Sequence, residues 1–246
     1  ITQTTLSVDD TRAVIDAAID AGVKRCVHIS SIHAYQQEPS FEILDESRKP
    51  VDKNGFAYDR SKYAGQQIAL AANQRGMETI VVNPTSIIGP YDFKPSLMGQ
   101  VLIDLYKGKL PFIFNGGFDF CDCRDIAYAV LNATTMGQPG TSYLLAGKWH
   151  SLKELVHLLS ASASKNIRAT ALPEWAGKAG LPVVKLLGKI RHKEPLYTIE
   201  ALEALFRGNR CISSDKAKAE LNYTVRPLAE TIHDTFEWFK NKGYLV

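Results

Sequence analysis

The stretch Met77-Glu78-Thr79-Ile80-Val81-Val82-Asn83-Pro84 constrains the fold more than any other part of the chain. It is β-branched and almost unbroken in apolar character. Such a strand needs cover on both faces, the condition of a central strand in a parallel sheet. A second buried strand is predicted over 24–30, Lys-Arg-Cys-Val-His-Ile-Ser. Between the two, Ala57, Ala64, Ile68, Ala69, Ala71 and Ala72 recur at helical spacing among strong helix formers, which predicts one helix over 57–75. Ahead of the first strand, Asp9 to Ala21 reads as a helix closed by Gly22.

Composition removes several classes of function. Of 246 residues, 29 are basic and 26 acidic, a net +3 too slight to favour nucleic acid. No apolar run approaches the roughly 18 to 20 residues of a membrane span. Apolar content of 45% with 22% charge is that of an ordinary globular protein large enough for a sizeable core. Cys26, Cys121, Cys123 and Cys211 make no disulfide framework, and Cys121-x-Cys123 alternates as strand residues do. With no Cys or His cluster to complete a zinc set, no metal site is expected. A reduced, cytoplasmic setting is the default expectation, with no signal-peptide pattern read in the opening residues.

The predicted helix over 57–75 carries chemistry at its head. Residues four apart share a helix face, so the Tyr58 phenol should lie beside the Lys62 ammonium. A free phenol titrates near about pH 10 and is a poor base at neutrality. A neighbouring cation favours the phenolate and would bring it towards the working range. An ordinary amphipathic surface helix would show the same spacing. Upstream, the strand over 24–30 runs into Ser30-Ser31, followed by Ile32-His33-Ala34-Tyr35 and an acidic, proline-containing loop.

Strand, Ser-Ser, loop and Tyr-x-x-Ser-Lys together resemble the extended short-chain dehydrogenase/reductase family, the NAD(P)-dependent epimerases, dehydratases and reductases. The resemblance implies a Rossmann-like α/β fold, a doubly wound parallel sheet with a smaller, mainly helical substrate-binding lobe. It implies that Ser31 holds the substrate oxygen, that Tyr58 is the acid/base, and that Lys62 binds the nicotinamide ribose and depresses the tyrosine pKa. Asn83-Pro84-Thr85-Ser86-Ile87-Ile88-Gly89-Pro90 is similar to the turn of dihydroflavonol-reductase-like members, which puts Pro84, Thr85 and Ser86 against the nicotinamide. Ser30, Tyr58 and Lys62 complete the implied cofactor set. His33, Asn83 and Ser96 are substrate-contact candidates, Asn83 standing where arginine is commoner.

The resemblance also divides the chain. Residues 1–90 are expected in the dinucleotide-binding part, 91–118 in the substrate lobe, 119–147 back in the Rossmann part, and 148–246 in the lobe. Asp10 to Ala18 looks like a later helix of the family, and no G-x-G-x-x-G or G-x-x-G-x-x-G turn occurs. The expectation is therefore that the family's N-terminal glycine-rich units are missing from this chain. Without them NAD and NADP are not separated, and the reductase likeness slightly favours NADP.

Further along, a helix is predicted over 96–107, a strand and helix over 118–135 with Asp125 capping the helix, and a strand at 143–147. Ser151 with Glu154 forms a capping box for a helix to Ala163, and a last helix runs from Leu228 to Lys242. The mixed stretch from Pro173 to Phe206, basic over Lys185 to Lys193, reads as an apolar lid. The functional expectation is reduction of a ketone or aldehyde by hydride transfer, with a small carbonyl, alcohol or sugar as substrate. Homodimers are usual in the family. A nucleotide-sugar epimerase or dehydratase is the enzyme alternative, and a non-catalytic nucleotide-sensing or scaffold relative the alternative of another class.

Overall fold

The computed structural model describes residues 3–177 and 199–245. Of the expected lid over Pro173 to Phe206, residues 178–198, among them Leu186, Leu187, Ile190 and Tyr197, lie outside them. In chain order the elements are α1 (Gln3–Asp20), β1 (Arg25–Ile29), α2 (Ala57–Ala71), β2 (Glu78–Pro84), β3 (Ser86–Ile88), α3 (Leu97–Tyr106), β4 (Phe112–Phe114), β5 (Gly117–Asp122) and α4 (Cys123–Ala133). They continue with β6 (Ser142–Leu145), β7 (Lys148–Ser151), α5 (Leu152–Ser162), β8 (Thr170–Leu172), α6 (Ile199–Arg207), α7 (Asp215–Leu221) and α8 (Leu228–Asn241). The chain folds as two compact units, one of Ile1–Ile87, Cys123–Gly147 and Asn209–Val225, the other of Ile88–Asp122, Lys148–Gly208 and Arg226–Val246.

The first unit is built on a parallel sheet in the order β1-β2-β6. Cys26 pairs with Thr79 and Ile29 with Val82, and on the other edge of β2 Val82 pairs with Tyr143. β2 is the central strand its composition predicts, with Ile80, Val81 and Val82 fully buried. On one face Ile15 of α1 and Ala69 and Ala72 of the α2 end pack over Met77 and Val81. Gly65 permits the close approach of α1 and α2: a Cβ there would meet the Thr11 hydroxyl at 3.3 Å. α1 starts six residues before the predicted Asp9, because its polar first turn carries no apolar periodicity to read. The helix predicted over 57–75 tightens into a 3-10 turn over Ala72–Arg75 and stops at Gly76, whose φ of 89° favours a residue without a Cβ.

Two sequence expectations are corrected here. Asp125 lies inside the first turn of α4 and is buried there, so it does not precede the helix as a cap. Residues 209–225, expected in the lobe, belong to the first unit. Buried Asn209 explains why: its amide donates to the carbonyls of Gln37 (3.1 Å), Pro39 (3.1 Å) and Glu42 (3.0 Å), and its oxygen accepts from Cys211 N–H (2.8 Å). Leu44 bridges to Ile212, and the Tyr143 hydroxyl donates to Glu220 at 2.5 Å, holding the same segment against β6.

The second unit has its own core, in which Leu102 and Leu105 of α3, Leu155 and Leu159 of α5, and Ile232, Phe236 and Phe239 of α8 pack together. β5 and β7 form an antiparallel pair and β4 and β8 a parallel one. β5 therefore belongs to this unit, although 119–122 was expected in the returning Rossmann segment. Ser151 caps α5 as predicted, its hydroxyl accepting from Glu154 N–H at 3.2 Å.

Candidate active site

The candidate site forms within the first unit at the carboxyl ends of β1 and β2, where open parallel sheets receive ligands. β1 ends at Ile29, and Ser30 extends the ladder by donating its N–H to the Val82 carbonyl at 2.8 Å. The buried Ser30 hydroxyl faces the Lys62 carbonyl at 3.4 Å. This serine is turned towards the α2 backbone and ties β1 to the helix.

Ser31 is extended, with φ −159° and ψ 155°, and caps the short 3-10 turn Ile32–Ala34 by accepting from His33 N–H at 3.2 Å. The same hydroxyl lies near enough to the Tyr58 phenol to lower its pKa. Tyr58 and Lys62 lie one turn apart on α2, with the Lys62 ammonium 5.5 Å from the tyrosine ring centroid. The structure thus brings Ser31, Tyr58 and Lys62 together from two elements.

The electrostatics differ from expectation in one respect. Partial burial pushes the Tyr58 phenol above its ordinary range, the Ser31 hydroxyl pulls it down, and the Asp59 carboxylate adds a smaller upward push. Lys62 does not bring it down; its ammonium lies 5.5 Å from the ring centroid. The lysine charge acts on His28 of β1 instead: burial first, and the Lys62 ammonium second, lower the His28 pKa. Among the described residues, no carboxylate pairs with Lys62. A half-buried ammonium of this kind has donors to spare.

His33 is drawn into the same cluster. Its Nδ1 lies 3.1 Å from the Asp59 carboxylate, and its ring meets the Tyr58 ring edge-on at 5.7 Å. Asp59 and His28 were not singled out from sequence. An aspartate next to the tyrosine reads as a first-turn helix residue, and a lone histidine in a strand has no signal of its own.

Two substrate candidates are corrected. The Asn83 side chain has no accessible surface; its Nδ2 donates to the Ser31 carbonyl at 2.9 Å and to Gln66 Oε1 at 2.8 Å. It stands behind Ser31, where no substrate can reach. Ser96, in the second unit, is the N-cap of α3: its hydroxyl accepts from Gly99 N–H at 3.1 Å and donates to the Asp92 carboxylate at 2.9 Å, which leaves it committed to the helix start. Pro84 is buried at the end of β2, and the Thr85 N–H donates to the Leu145 carbonyl at 3.3 Å, with Ser86 half-buried beyond it.

As a cofactor surface, the donor set suits the ribose and nicotinamide end of a dinucleotide: an unpaired ammonium, a phenol and a serine hydroxyl at the strand ends. The chain supplies no glycine-rich turn for the pyrophosphate. Among the described residues, no group of His, Cys, Asp and Glu could hold a metal ion, and no helix is long and apolar enough to cross a membrane.

Comparison with known proteins agrees with this arrangement. Residues 5–146 match the NAD dependent epimerase/dehydratase family. A Synechocystis protein provisionally named a dihydroflavonol 4-reductase is 28% identical over 240 residues, spanning 96% of this chain and 70% of that protein. Sterol demethylase protein B of Methylococcus capsulatus is 27% identical over 243 residues, 98% of this chain and 74% of that protein. The crystal structure of gox2253 superposes with a TM-score of 0.82 at 30% identity, covering 100% of this chain and 74% of that one. With a parallel α/β sheet, hydroxyl groups gathered at its strand ends and more than half of its length matched, the chain belongs to the NAD dependent epimerase/dehydratase family of oxidoreductases and epimerases.

Proposed function

We propose that the protein reduces a ketone or aldehyde with a nicotinamide cofactor, using Ser31, Tyr58 and Lys62. The observation that carries this reading is the Lys62 ammonium, with no carboxylate partner among the described residues, 5.5 Å from the Tyr58 ring centroid on one helix face, with the Ser31 hydroxyl near enough to lower the Tyr58 pKa. A binding module has no need of a phenol held in this way. When bound, the cofactor supplies hydride at the nicotinamide carbon. Ser31 and Tyr58 hold the carbonyl oxygen from one side, and Tyr58 gives it the proton that completes the alcohol. Lys62 donates to the ribose hydroxyls.

The likeness to a protein named as a dihydroflavonol 4-reductase supports net reduction and makes NADPH the slightly favoured donor over NADH. The family's own description favours a second reading, in which the same residues serve transient oxidation in a sugar epimerase or dehydratase.

The test is a titration of the purified, mass-checked chain with NADH and NADPH, followed by nicotinamide fluorescence, and then a screen of carbonyl compounds for cofactor oxidation. Saturable binding with turnover that Tyr58→Phe abolishes is the expected result. Binding with no net oxidation, but with conversion of a nucleotide sugar, selects the second reading. Failure to bind either cofactor in a chain of full native length refutes both.

A further inference from the structure

Behind the Ser31 and Tyr58 pair lies a buried chain of amides that neither the proposed chemistry nor helix and sheet formation accounts for. Asn83, at the end of β2, directs Nδ2 at the Ser31 carbonyl (2.9 Å) and at Gln66 Oε1 (2.8 Å). Gln66 Nε2 in turn meets the Tyr35 hydroxyl at 3.4 Å and the Ser142 hydroxyl at 3.2 Å. Asn83, Gln66 and Tyr35 are all buried.

The direction of each bond follows from one atom. A peptide carbonyl only accepts, so the group facing the Ser31 carbonyl must be the NH2 of Asn83. The same NH2 faces Gln66, so Gln66 must present its oxygen there and its own NH2 towards the two hydroxyls. Flipping Asn83 would set its oxygen against the Ser31 carbonyl, and flipping Gln66 would set its NH2 against the Asn83 NH2, so neither amide can flip. The cost of this arrangement is visible: Asn83 Oδ1 is buried with no hydrogen-bond partner. An apolar side chain of the same size would move the orphan to the buried Gln66 Oε1, while the Ser31 carbonyl would keep the Ala34 N–H at 3.0 Å, so what the asparagine adds is the link between the two.

The placement of Gln66 is the second half of the case. Tyr58, Lys62 and Gln66 follow one another at intervals of four on α2 and share a face. The Asn83 amide therefore joins the backbone of Ser31, on the loop after β1, to the third residue of the helix face that carries Tyr58 and Lys62.

We infer that Asn83 and Gln66 are positioning residues, an amide clamp that sets where the Ser31 hydroxyl stands relative to Tyr58. The inference rests on the reading of Ser31 and Tyr58 as the reacting pair, but its test does not. A positioning error of about 1 Å costs on the order of 100-fold in rate. With a carbonyl substrate in hand, Asn83→Leu is expected to lower kcat roughly 10- to 100-fold while leaving NADH binding as it was.

The deciding experiment needs no substrate. The full chain is labelled with 13Cζ-tyrosine, the Tyr58 signal is assigned by its loss in Tyr58→Phe, and its titration is followed by NMR. Ser31→Ala and Asn83→Leu should both move the Tyr58 titration upward, since each removes the Ser31 hydroxyl from the phenol. The double variant should move it no further than Ser31→Ala does. An unchanged Tyr58 titration in Asn83→Leu overturns the clamp, as does an equal further shift in the Ser31→Ala background. Should Asn83→Leu not fold, Gln66→Met, which removes the acceptor that orients the Asn83 amide, must give the same upward shift. Loss of folding in both would also overturn it, because the amides would then be holding the unit together rather than one hydroxyl in place. A chain that reduces no carbonyl but shows the coupled titration refutes the proposed reaction and keeps the clamp.

Discussion

Replacing Asn209 with alanine is the sharpest test of how the loop after Ser31 is held. Asn209 is 2% exposed, and its amide group gathers three backbone carbonyls from Gln37, Pro39 and Glu42, while its oxygen takes the Cys211 N–H. An amide NH2 has two hydrogens, so the three carbonyls share two donors, and alanine removes about three hydrogen bonds in all. At a net 0.5 to 1.5 kcal/mol each the loss is about 1.5 to 4.5 kcal/mol. Glu38, Pro39, Phe41 and Glu42 are exposed, so water can replace part of the donor set on the freed carbonyls. Cys211 is exposed as well, so its N–H also regains water. A destabilisation of about 2 to 3 kcal/mol is expected, which in a chain of this size lowers Tm by roughly 4 to 12 °C. Urea unfolding gives the free energy, and amide hydrogen exchange shows where it is lost. Exchange should quicken over 37–46 and 209–213, with the β2 amides losing protection only as global stability falls. A change below about 0.5 kcal/mol with unaltered exchange in 37–46 would show that this loop is held by other contacts and that the bond count is a poor guide here.

Other expectations follow from the same geometry. Tyr58→Phe and Lys62→Met should each lower turnover of an identified carbonyl substrate by roughly 100- to 10,000-fold, read as kcat, with α2 helicity intact by circular dichroism. His28, whose pKa burial and Lys62 depress, stays neutral in the folded chain at a pH where the unfolded chain takes up a proton. Its contribution to stability is therefore present above the unfolded value of about 6.5 and is lost as pH falls from there through the folded pKa. In Lys62→Met the His28 titration should move upward by NMR, and an unchanged His28 would place the ammonium elsewhere. Gly99→Ala puts a Cβ against the Asp92 carboxylate that holds Ser96 and against Phe239, and should cost about 1 to 3 kcal/mol by urea unfolding.

Much of the molecule was legible in the chain because it depends on local pattern. The β-branched run over 77–84 identified the central strand, since only a residue set covered on both faces looks so uniformly apolar, and Ile80, Val81 and Val82 are indeed buried. Helical spacing placed Tyr58 and Lys62 one turn apart, and the hydroxyl after β1 followed from the order of motifs. Ser151 announced its helix because a capping box is a local arrangement.

What the chain could not disclose depends on contacts between distant residues. Asn83 looked like a residue at a ligand-facing strand end, but side chains alternate across a strand, and only the packed neighbours decide which side faces solvent. Its amide faces Ser31, 52 residues away, and Gln66, 17 away. Ser96 looked available until Asp92 and Gly99 were seen to occupy its hydroxyl. Spacing set Lys62 beside Tyr58 but did not say whether the ammonium lay against the ring or the phenol oxygen, since a lysine has four rotatable bonds. The segment 209–225 was expected in the substrate lobe; the buried amide of Asn209 and the bond from Tyr143 to Glu220 assign it to the first unit. Sequence periodicity determines secondary structure and which chemistry shares a helix face, whereas the destination of each buried polar group is decided when the elements pack, because each must find a partner away from water.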